Sequence, residues 1–127
     1  GEGVRLAAIG DYEDAIASFD EALQMDSEAA FVYKQRGAAY QATGDHAAAI
    51  SDFDEAIRLN SEDMNAYYRR GVSHQALDNH AAAIADFDAV LAVDPEFVDA
   101  ASRRDAVQEA MGADEAAADD GASQRID

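Results

Sequence analysis

The side chains best suited to catalysis or metal binding in this chain are its three histidines. The interval from Tyr12 to His46 equals the interval from His46 to His80, and His74 follows Tyr40 by that same interval. Metal binding or acid–base catalysis would need cysteines or convergent carboxylates at ligand spacing, and none accompanies these histidines. We therefore interpret them as packing residues and predict no enzymatic activity, no metal and no cofactor.

The acidic residues are numerous, but their spacing does not indicate an ion site. Asp52, Asp54 and Glu55 are so close in sequence that on a helix they would point to different sides, as on a solvated face. Asp119 and Asp120 lack the glycine and closing glutamate of a calcium-binding loop. These acids therefore predict a charged surface rather than a coordination sphere.

The overall charge excludes several classes of partner. The 127 residues include 27 acids and nine lysines and arginines, for a net charge of −18. Phosphate binding needs clustered cations, so nucleic acid and anionic membrane surfaces are disfavoured. No apolar run reaches the roughly 20 residues of a membrane helix, so no membrane insertion is expected.

With no cysteine, the chain suits a reducing or an oxidising compartment; we expect a soluble protein, cytoplasmic rather than periplasmic. The acidity fits a salt-rich cytoplasm or simply a solvated acidic surface.

The chain is organised around an internal repeat, which several columns of identical residues reveal. These columns are Phe19, Phe53 and Phe87; Ala15, Ala49 and Ala83; Ile16, Ile50 and Ile84; Gly3, Gly37 and Gly71; and Asp20, Asp54 and Asp88. All of them share one period, since successive members of every column differ by 34 in sequence number. Within one unit, Ile16, Phe19 and Leu23 fall on one face at helical spacing. The repeat therefore predicts an all-α chain in which each unit contributes two helices.

Polar residues mark where these helices are expected to begin, because their side chains can accept a backbone N–H bond. They are Asp11, Asp45 and Asn79 before the second helices, and Asp26, Asn60 and Asp94 before the first helices. Pro95 then occupies a first helical position, where its missing N–H is harmless. The predicted helices span about 2–9, 12–25, 28–43, 46–59, 62–77, 80–93 and 96–111. Residues 113–127 hold five acids and little apolar surface, which predicts a flexible acidic tail.

The pattern resembles the tetratricopeptide repeat family, whose 34-residue unit is a helix–turn–helix. The residues that carry the resemblance are Tyr33, Gly37, Tyr40, Gly44, Ala49, Phe53 and Ala56 in one unit, and Tyr67, Gly71, His74, Ala83, Phe87 and Pro95 in the next. The resemblance implies a solenoid of antiparallel helix pairs, with about three repeats, the first truncated, and a C-terminal capping helix. The expected domain is 1–112, with units at about 1–29, 30–63 and 64–97 and the capping helix at 96–111.

The resemblance also implies a function as a non-enzymatic interaction module or scaffold, with a peptide-binding groove lined by the first helix of each unit. Carried over position by position, the groove residues would be Phe31, Lys34, Gln35, Gln41, Asn65, Tyr68, Arg69, Gln75 and Arg103. Our hypothesis is that Lys34, Arg69 and Arg103 pair with an acidic or C-terminal carboxylate group of a protein or peptide partner. Of the clamp residues by which chaperone-binding members hold such a carboxylate, only Arg69 is matched.

A second row of arginines has a structural interpretation. Arg36 precedes Asp52 by the same interval by which Arg70 precedes Asp86, and each acid belongs to the facing helix of the same predicted hairpin. We predict that each arginine forms an ion pair with that acid.

Two other functions remain open from the sequence. The first unit lacks the first turn of its opening helix and the chain has no initiator methionine, which is typical of a fragment or a processed chain. The truncated end would leave Leu6 and Ile9 uncovered, so the chain could self-assemble as a homo-oligomer through its open N-terminal end. Alternatively, it could be an accessory repeat domain of a larger protein.

Overall fold

The computed structural model describes the backbone of residues 11–126 and the side chains of residues 11–113. In that part the chain forms helices α1 (Tyr12–Met25), α2 (Ala30–Ala42), α3 (His46–Leu59), α4 (Met64–Ala76), α5 (His80–Val93) and α6 (Val98–Ile126). Consecutive helices pack against each other, most extensively α2 with α3 and α4 with α5. The predicted all-α solenoid of helix pairs is confirmed. The helix predicted at 2–9 lies outside the described residues.

The core follows the repeated columns of the sequence. Phe53 and Phe87 are completely buried, each between the two helices of a hairpin. A Cβ atom added to Gly37 would lie 2.8 Å from Phe53 Cε1, and one added to Gly71 would lie 2.8 Å from Phe87 Cε1. Each glycine therefore lets the phenylalanine ring of the facing helix reach the helix backbone.

The second helices begin as predicted. The carboxylate of Asp11 accepts a hydrogen bond from Asp14 N at 3.4 Å, and that of Asp45 accepts one from Ala48 N at 3.2 Å. Asn79 stands at the corresponding place before α5, but its side chain makes no capping hydrogen bond.

The predicted caps of the first helices are wrong. The side chains of Asp26, Asn60 and Asp94 accept from backbone N–H groups two residues ahead, and each of the following helices starts about two residues later than predicted. These bonds close Asx turns, which use the same side-chain oxygen as an N-cap but fold the chain before the helix begins. Pro95 lies in such a turn and not in a helix. The cap of α4 is Asp63, which accepts from Asn65 N and Ala66 N.

The turns between the helices of a hairpin need a left-handed residue. Gly44 has φ +86° after α2, and Asp78 has φ +59° at the corresponding place after α4. Aspartate tolerates this conformation better than most residues because its short side chain can bond locally. The loss of the turn glycine at position 78 therefore leaves the hairpin intact.

The last helix is longer than predicted. It was expected to end near residue 111, but α6 continues to Ile126 and includes Gly112. Alanine, which has the highest helix propensity, supplies five of the residues in 113–127 and favours continuation of the helix. The flexibility expected of residues 113–127 stays a prediction. No helix of the described part combines the length and the apolar composition that crossing a bilayer requires.

Candidate functional site

The first helices of successive hairpins form one continuous surface. α2 contacts α4, and α4 contacts α6, whereas no two of the second helices α1, α3 and α5 approach each other to the same extent. The stack therefore curves toward α2, α4 and α6, and we call the surface that these three helices form the inner surface.

A hollow of about 320 Å³ opens on the inner surface. It is lined by Tyr12, Gln35, Ala38, Ala39, Gln41, Ala42 and Arg69. Three of the predicted groove residues, Gln35, Gln41 and Arg69, thus come together around one depression. Tyr12, from the second helix of the preceding hairpin, was not among the predicted residues.

Arg69 is the predicted cation with the greatest freedom to bind a ligand. Its Nε donates to the side-chain oxygen of Asn65, one helical turn earlier, at 3.0 Å. Among the residues that the structure describes, its two terminal nitrogens make no hydrogen bond or ion pair. The guanidinium is therefore oriented by Asn65 while its outer edge remains able to donate to a carboxylate.

Lys34, in contrast, is engaged with another helix. Its Nζ lies 2.8 Å from Asp63 Oδ2, and both side chains are mostly buried. This ion pair joins α2 to the start of α4, so Lys34 supports the stacking of two hairpins. Phe31, one turn before Lys34, is 60% exposed and offers an apolar surface near the start of α2.

Arg103 is also held by its neighbours. Its Nε donates to Tyr68 Oη at 3.0 Å, and its Nη1 donates to Gln75 Oε1 at 3.0 Å. Tyr68 packs in turn against Phe97, with ring centroids 5.2 Å apart. The predicted residues Tyr68, Gln75 and Arg103 therefore form one cluster that joins α4 to α6.

Gln41 makes the corresponding connection between α2 and α4. Its Nε2 lies 2.8 Å from both the backbone oxygen of Arg69 and Ser73 Oγ. Ser73 is completely buried and also lies 3.1 Å from His46 Nδ1. Gln41 thus forms one wall of the hollow and satisfies polar groups of the next hairpin.

The second arginine row forms the predicted ion pairs. Arg36 donates to both oxygens of Asp52 at 2.8 and 2.7 Å, and Arg70 donates to both oxygens of Asp86 at 2.9 and 2.7 Å. The hydrogen-bonded carboxylate of Asp52 raises the pKa of Arg36 above its usual value, and that of Asp86 does the same for the pKa of Arg70. These pairs are buried parts of the hairpins and do not take part in the inner surface.

Each of these arginines has a second partner that sequence reasoning missed. Arg36 Nη1 reaches Asp20 of the preceding hairpin at 2.7 Å, and Arg70 Nη1 reaches Asp54 at 2.9 Å. Arg104 continues the series, with Nε 2.6 Å from Asp88. The repeated column of aspartates was visible in the sequence, but its pairing across hairpins depends on how the hairpins stack.

Two of the three histidines lie beside polar side chains of the hairpins. His46 lies beside Ser73, and His74 Nδ1 lies 3.3 Å from Asn79 Nδ2. Over the residues with described side chains, no three histidine, aspartate or glutamate side chains are arranged to hold a metal ion.

Comparison with protein-family models identifies the repeats. Models described as tetratricopeptide repeat match residues 30–63 and 65–97, and one described as TPR repeat matches residues 3–44. The chain belongs to the tetratricopeptide repeat family. A comparison with curated proteins found no match.

Several solved structures superpose on most of this chain. The first TPR of Spaghetti (RPAP3), bound to the HSP90 peptide SRMEEVD, is 27% identical, with a TM-score of 0.84 over 87% of this chain and 88% of its own. The second TPR domain of human RPAP3, in complex with the HSP70 peptide SGPTIEEVD, is 26% identical, with a TM-score of 0.80 over 84% of this chain and 89% of its own. MamA is 28% identical, with a TM-score of 0.83 over 87% of this chain and 60% of its own.

Proposed function

We propose that this tetratricopeptide repeat chain is a non-enzymatic interaction module whose inner surface binds an extended peptide or protein segment, with Arg69 as the anchor for a carboxylate. The observation that carries the proposal is the position of Arg69. Arg69 lines the hollow, and its guanidinium is oriented by Asn65 and keeps two terminal nitrogens for a ligand. A carboxylate can accept two parallel hydrogen bonds from such a group.

The surroundings of Arg69 suit an extended chain better than a compact ligand. Gln35 offers its amide group on the same hollow, and Gln41 offers its amide oxygen, because the Gln41 nitrogen already donates to Arg69 and Ser73. The exposed ring of Phe31 lies one helical turn before Gln35 on the same helix face. Peptide backbone needs both donors and acceptors, which amide side chains supply. Two relatives with the same fold hold peptides that end in aspartate, which supports a peptide as the ligand.

The other two predicted cations are assigned a supporting function. Lys34 would have to leave Asp63, and Arg103 would have to leave Gln75, before either could give its full hydrogen-bonding capacity to a ligand. The net charge of −18 also opposes an acidic ligand at long range. We therefore expect weak binding that strengthens as salt screens this repulsion.

The test uses the peptide SRMEEVD, which a relative binds, and the same peptide with an amidated C-terminus. In a ¹H–¹⁵N NMR titration we expect the free-acid peptide to shift resonances of Gln35, Gln41 and Arg69. Arg69→Ala should weaken its binding at least tenfold, and amidation should weaken it as well. Arg58→Ala is the matched control, because it removes the same charge from an exposed ion pair on α3.

Two results would contradict the proposal. One is binding that Arg69→Ala leaves unchanged. The other is the absence of shifts on the inner surface at millimolar peptide in both low and high salt. Light scattering on the same samples tests self-assembly, since a concentration-dependent mass without peptide binding would favour a homo-oligomer instead.

A further inference from the structure

A second hollow lies between the start of α4 and the end of α5, and it shares no residue with the hollow on the inner surface. Its volume is about 410 Å³. It is lined by Ser61, Glu62, Met64, Tyr67, Ala89 and Val93. We call it the edge hollow. A cavity of about 150 Å³ accommodates benzene, so the edge hollow has room for an aliphatic or aromatic side chain.

One wall of the edge hollow is held in place by polar contacts. Tyr67 Oη donates to the backbone oxygen of Ser61 at 3.2 Å. The guanidinium of Arg70 lies 5.4 Å from the centre of the Tyr67 ring and is itself fixed by Asp86. Because this wall is already ordered, a ligand would lose little free energy in arranging it.

The hairpin of α2 and α3 builds the same wall but carries a charged pair beside it. Tyr33 Oη donates to the backbone oxygen of Ser27 at 3.0 Å, as Tyr67 does to Ser61. There, however, Glu55 and Arg58 of α3 form an ion pair at 2.6 Å. Glu55 occupies the position that Ala89 holds one repeat later, and Ala89 lines the edge hollow, so this pair is placed beside the wall.

In the hairpin of α4 and α5, which contains the edge hollow, the charged pair is missing. Ala89 and Ala92 occupy the positions that Glu55 and Arg58 hold in the preceding repeat. Alanine side chains end at Cβ, so neither can extend over Tyr67. We attribute the accessibility of the edge hollow to these two alanines, because the hairpin of α2 and α3 has the same tyrosine wall and carries the charged pair at the equivalent positions.

The surroundings of the edge hollow are apolar with acidic neighbours. Val93 and Val98 are each 73% exposed on either side of the turn that joins α5 to α6. That turn and the first residues of α6 carry Asp94, Glu96 and Asp99, and Glu62 belongs to the wall itself. A ligand that buries an apolar side chain here would gain further from cations beside it.

We propose that the edge hollow is a second binding surface, which takes an aliphatic or aromatic side chain flanked by lysine or arginine on a partner protein. A second copy of this chain is the less suitable occupant, since each copy carries a net charge of −18. The surface also selects against the acidic ligand proposed for the inner surface. The two surfaces are thus independent, and each can be tested without the other.

The decisive variant introduces the charged pair of α3, Glu55 and Arg58, at the equivalent positions of α5. In Ala89→Glu/Ala92→Arg the new pair would repeat Glu55 and Arg58, with Glu62 standing where Glu28 does, so the variant should fold. Ala81→Glu/Ala85→Arg is the matched control, because it adds the same two charges to exposed positions of the same helix outside the edge hollow.

The probe is the acetylated and amidated peptide Lys-Lys-Leu-Lys-Lys, followed by ¹H–¹⁵N NMR titration. We expect shifts of Met64, Tyr67 and Val93, an affinity at least tenfold lower in Ala89→Glu/Ala92→Arg, and unchanged affinity in Ala81→Glu/Ala85→Arg and in Arg69→Ala. Peptides with glycine in place of leucine, or glutamate in place of lysine, should bind at least tenfold more weakly.

Three outcomes would overturn the proposal. The covering variant could bind the probe as tightly as the wild type. The glycine peptide could bind as tightly as the leucine peptide, which would reduce the interaction to unspecific charge attraction. Finally, the wild type could form a dimer that the covering variant abolishes, which would assign the edge hollow to a second copy.

Discussion

Arg70 donates hydrogen bonds to both oxygens of Asp86, from Nε at 2.9 Å and from Nη2 at 2.7 Å, and Asp86 is only 3% exposed. The same arginine reaches Asp54 of the preceding hairpin with its third nitrogen, Nη1. One side chain thus neutralises a buried acid of its own hairpin and joins that hairpin to the one before it.

Replacement of Arg70 by Met should strongly destabilise the fold. It removes the only cation paired with Asp86 in the described part of the chain and leaves that carboxylate buried, which costs about 3–5 kcal/mol. Chemical denaturation measures this loss. Arg58→Met is the control, because its pair with Glu55 is exposed to solvent and should contribute little to stability. If a double-mutant cycle with Asp86→Leu gave no coupling, the bidentate pair would have no energetic importance.

Gln41→Ala should weaken the stacking of α2 on α4. It removes the donor that lies 2.8 Å from the buried Ser73 Oγ and from the Arg69 backbone oxygen, at a cost of about 1–3 kcal/mol. Gln75→Ala at the equivalent position of the next hairpin should cost less, since its partner Arg103 is only partly buried, whereas Ser73 is completely buried. The comparison is made by thermal melting, and equal losses would mean that burial of Ser73 does not decide the effect.

Gly71→Ala should destabilise the third unit despite the better helix propensity of alanine. The new methyl group would lie 2.8 Å from Phe87 Cε1, and overpacking of this kind costs about 1–3 kcal/mol. The better helix propensity of alanine over glycine offsets this cost by about 1 kcal/mol at most. Gly112→Ala is the matched control, because nothing lies within 4 Å of its added Cβ, so it should stabilise α6 slightly. Urea denaturation of both variants reads out the difference, and a stabilised Gly71→Ala would argue against close packing at Phe87.

The two left-handed turn residues should respond in opposite ways to substitution. Gly44→Ala should lower stability by about 1–2 kcal/mol, since φ is +86° at this position. Asp78→Gly should be neutral or stabilising by up to about 1 kcal/mol, because it relieves the same strain at φ +59° while adding freedom to the unfolded chain. Calorimetric melting temperatures check both, and a stabilising Gly44→Ala would contradict the strain argument.

The core could be predicted from the sequence because packing repeats with the sequence. Phe53 and Phe87 stand in a column of identical residues, and their burial against Gly37 and Gly71 follows from that period. The pairing of Arg70 with Asp86 was likewise visible, because both residues lie in one hairpin and their separation in sequence places them on facing helices.

Contacts between hairpins were harder to predict. Lys34 and Asp63 are 29 residues apart and belong to different units, so their ion pair depends on how the units stack and not on the period within one unit. The Asx turns were missed for another reason. An aspartate such as Asp26 presents the same oxygen to an N–H two residues ahead in a turn or at a helix start, and composition does not distinguish the two.

Because Arg36 links Asp20 to Asp52 and Arg70 links Asp54 to Asp86, helix α3 is tied to a neighbour on each side through two of its own acids. A linear array unfolds piecewise when the junctions between its units are weak. Here, wherever a folded hairpin borders an unfolded one, a charged side chain would lose its ion-pair partner in the neighbouring hairpin. The array should therefore unfold more cooperatively than one whose hairpins share only apolar contacts.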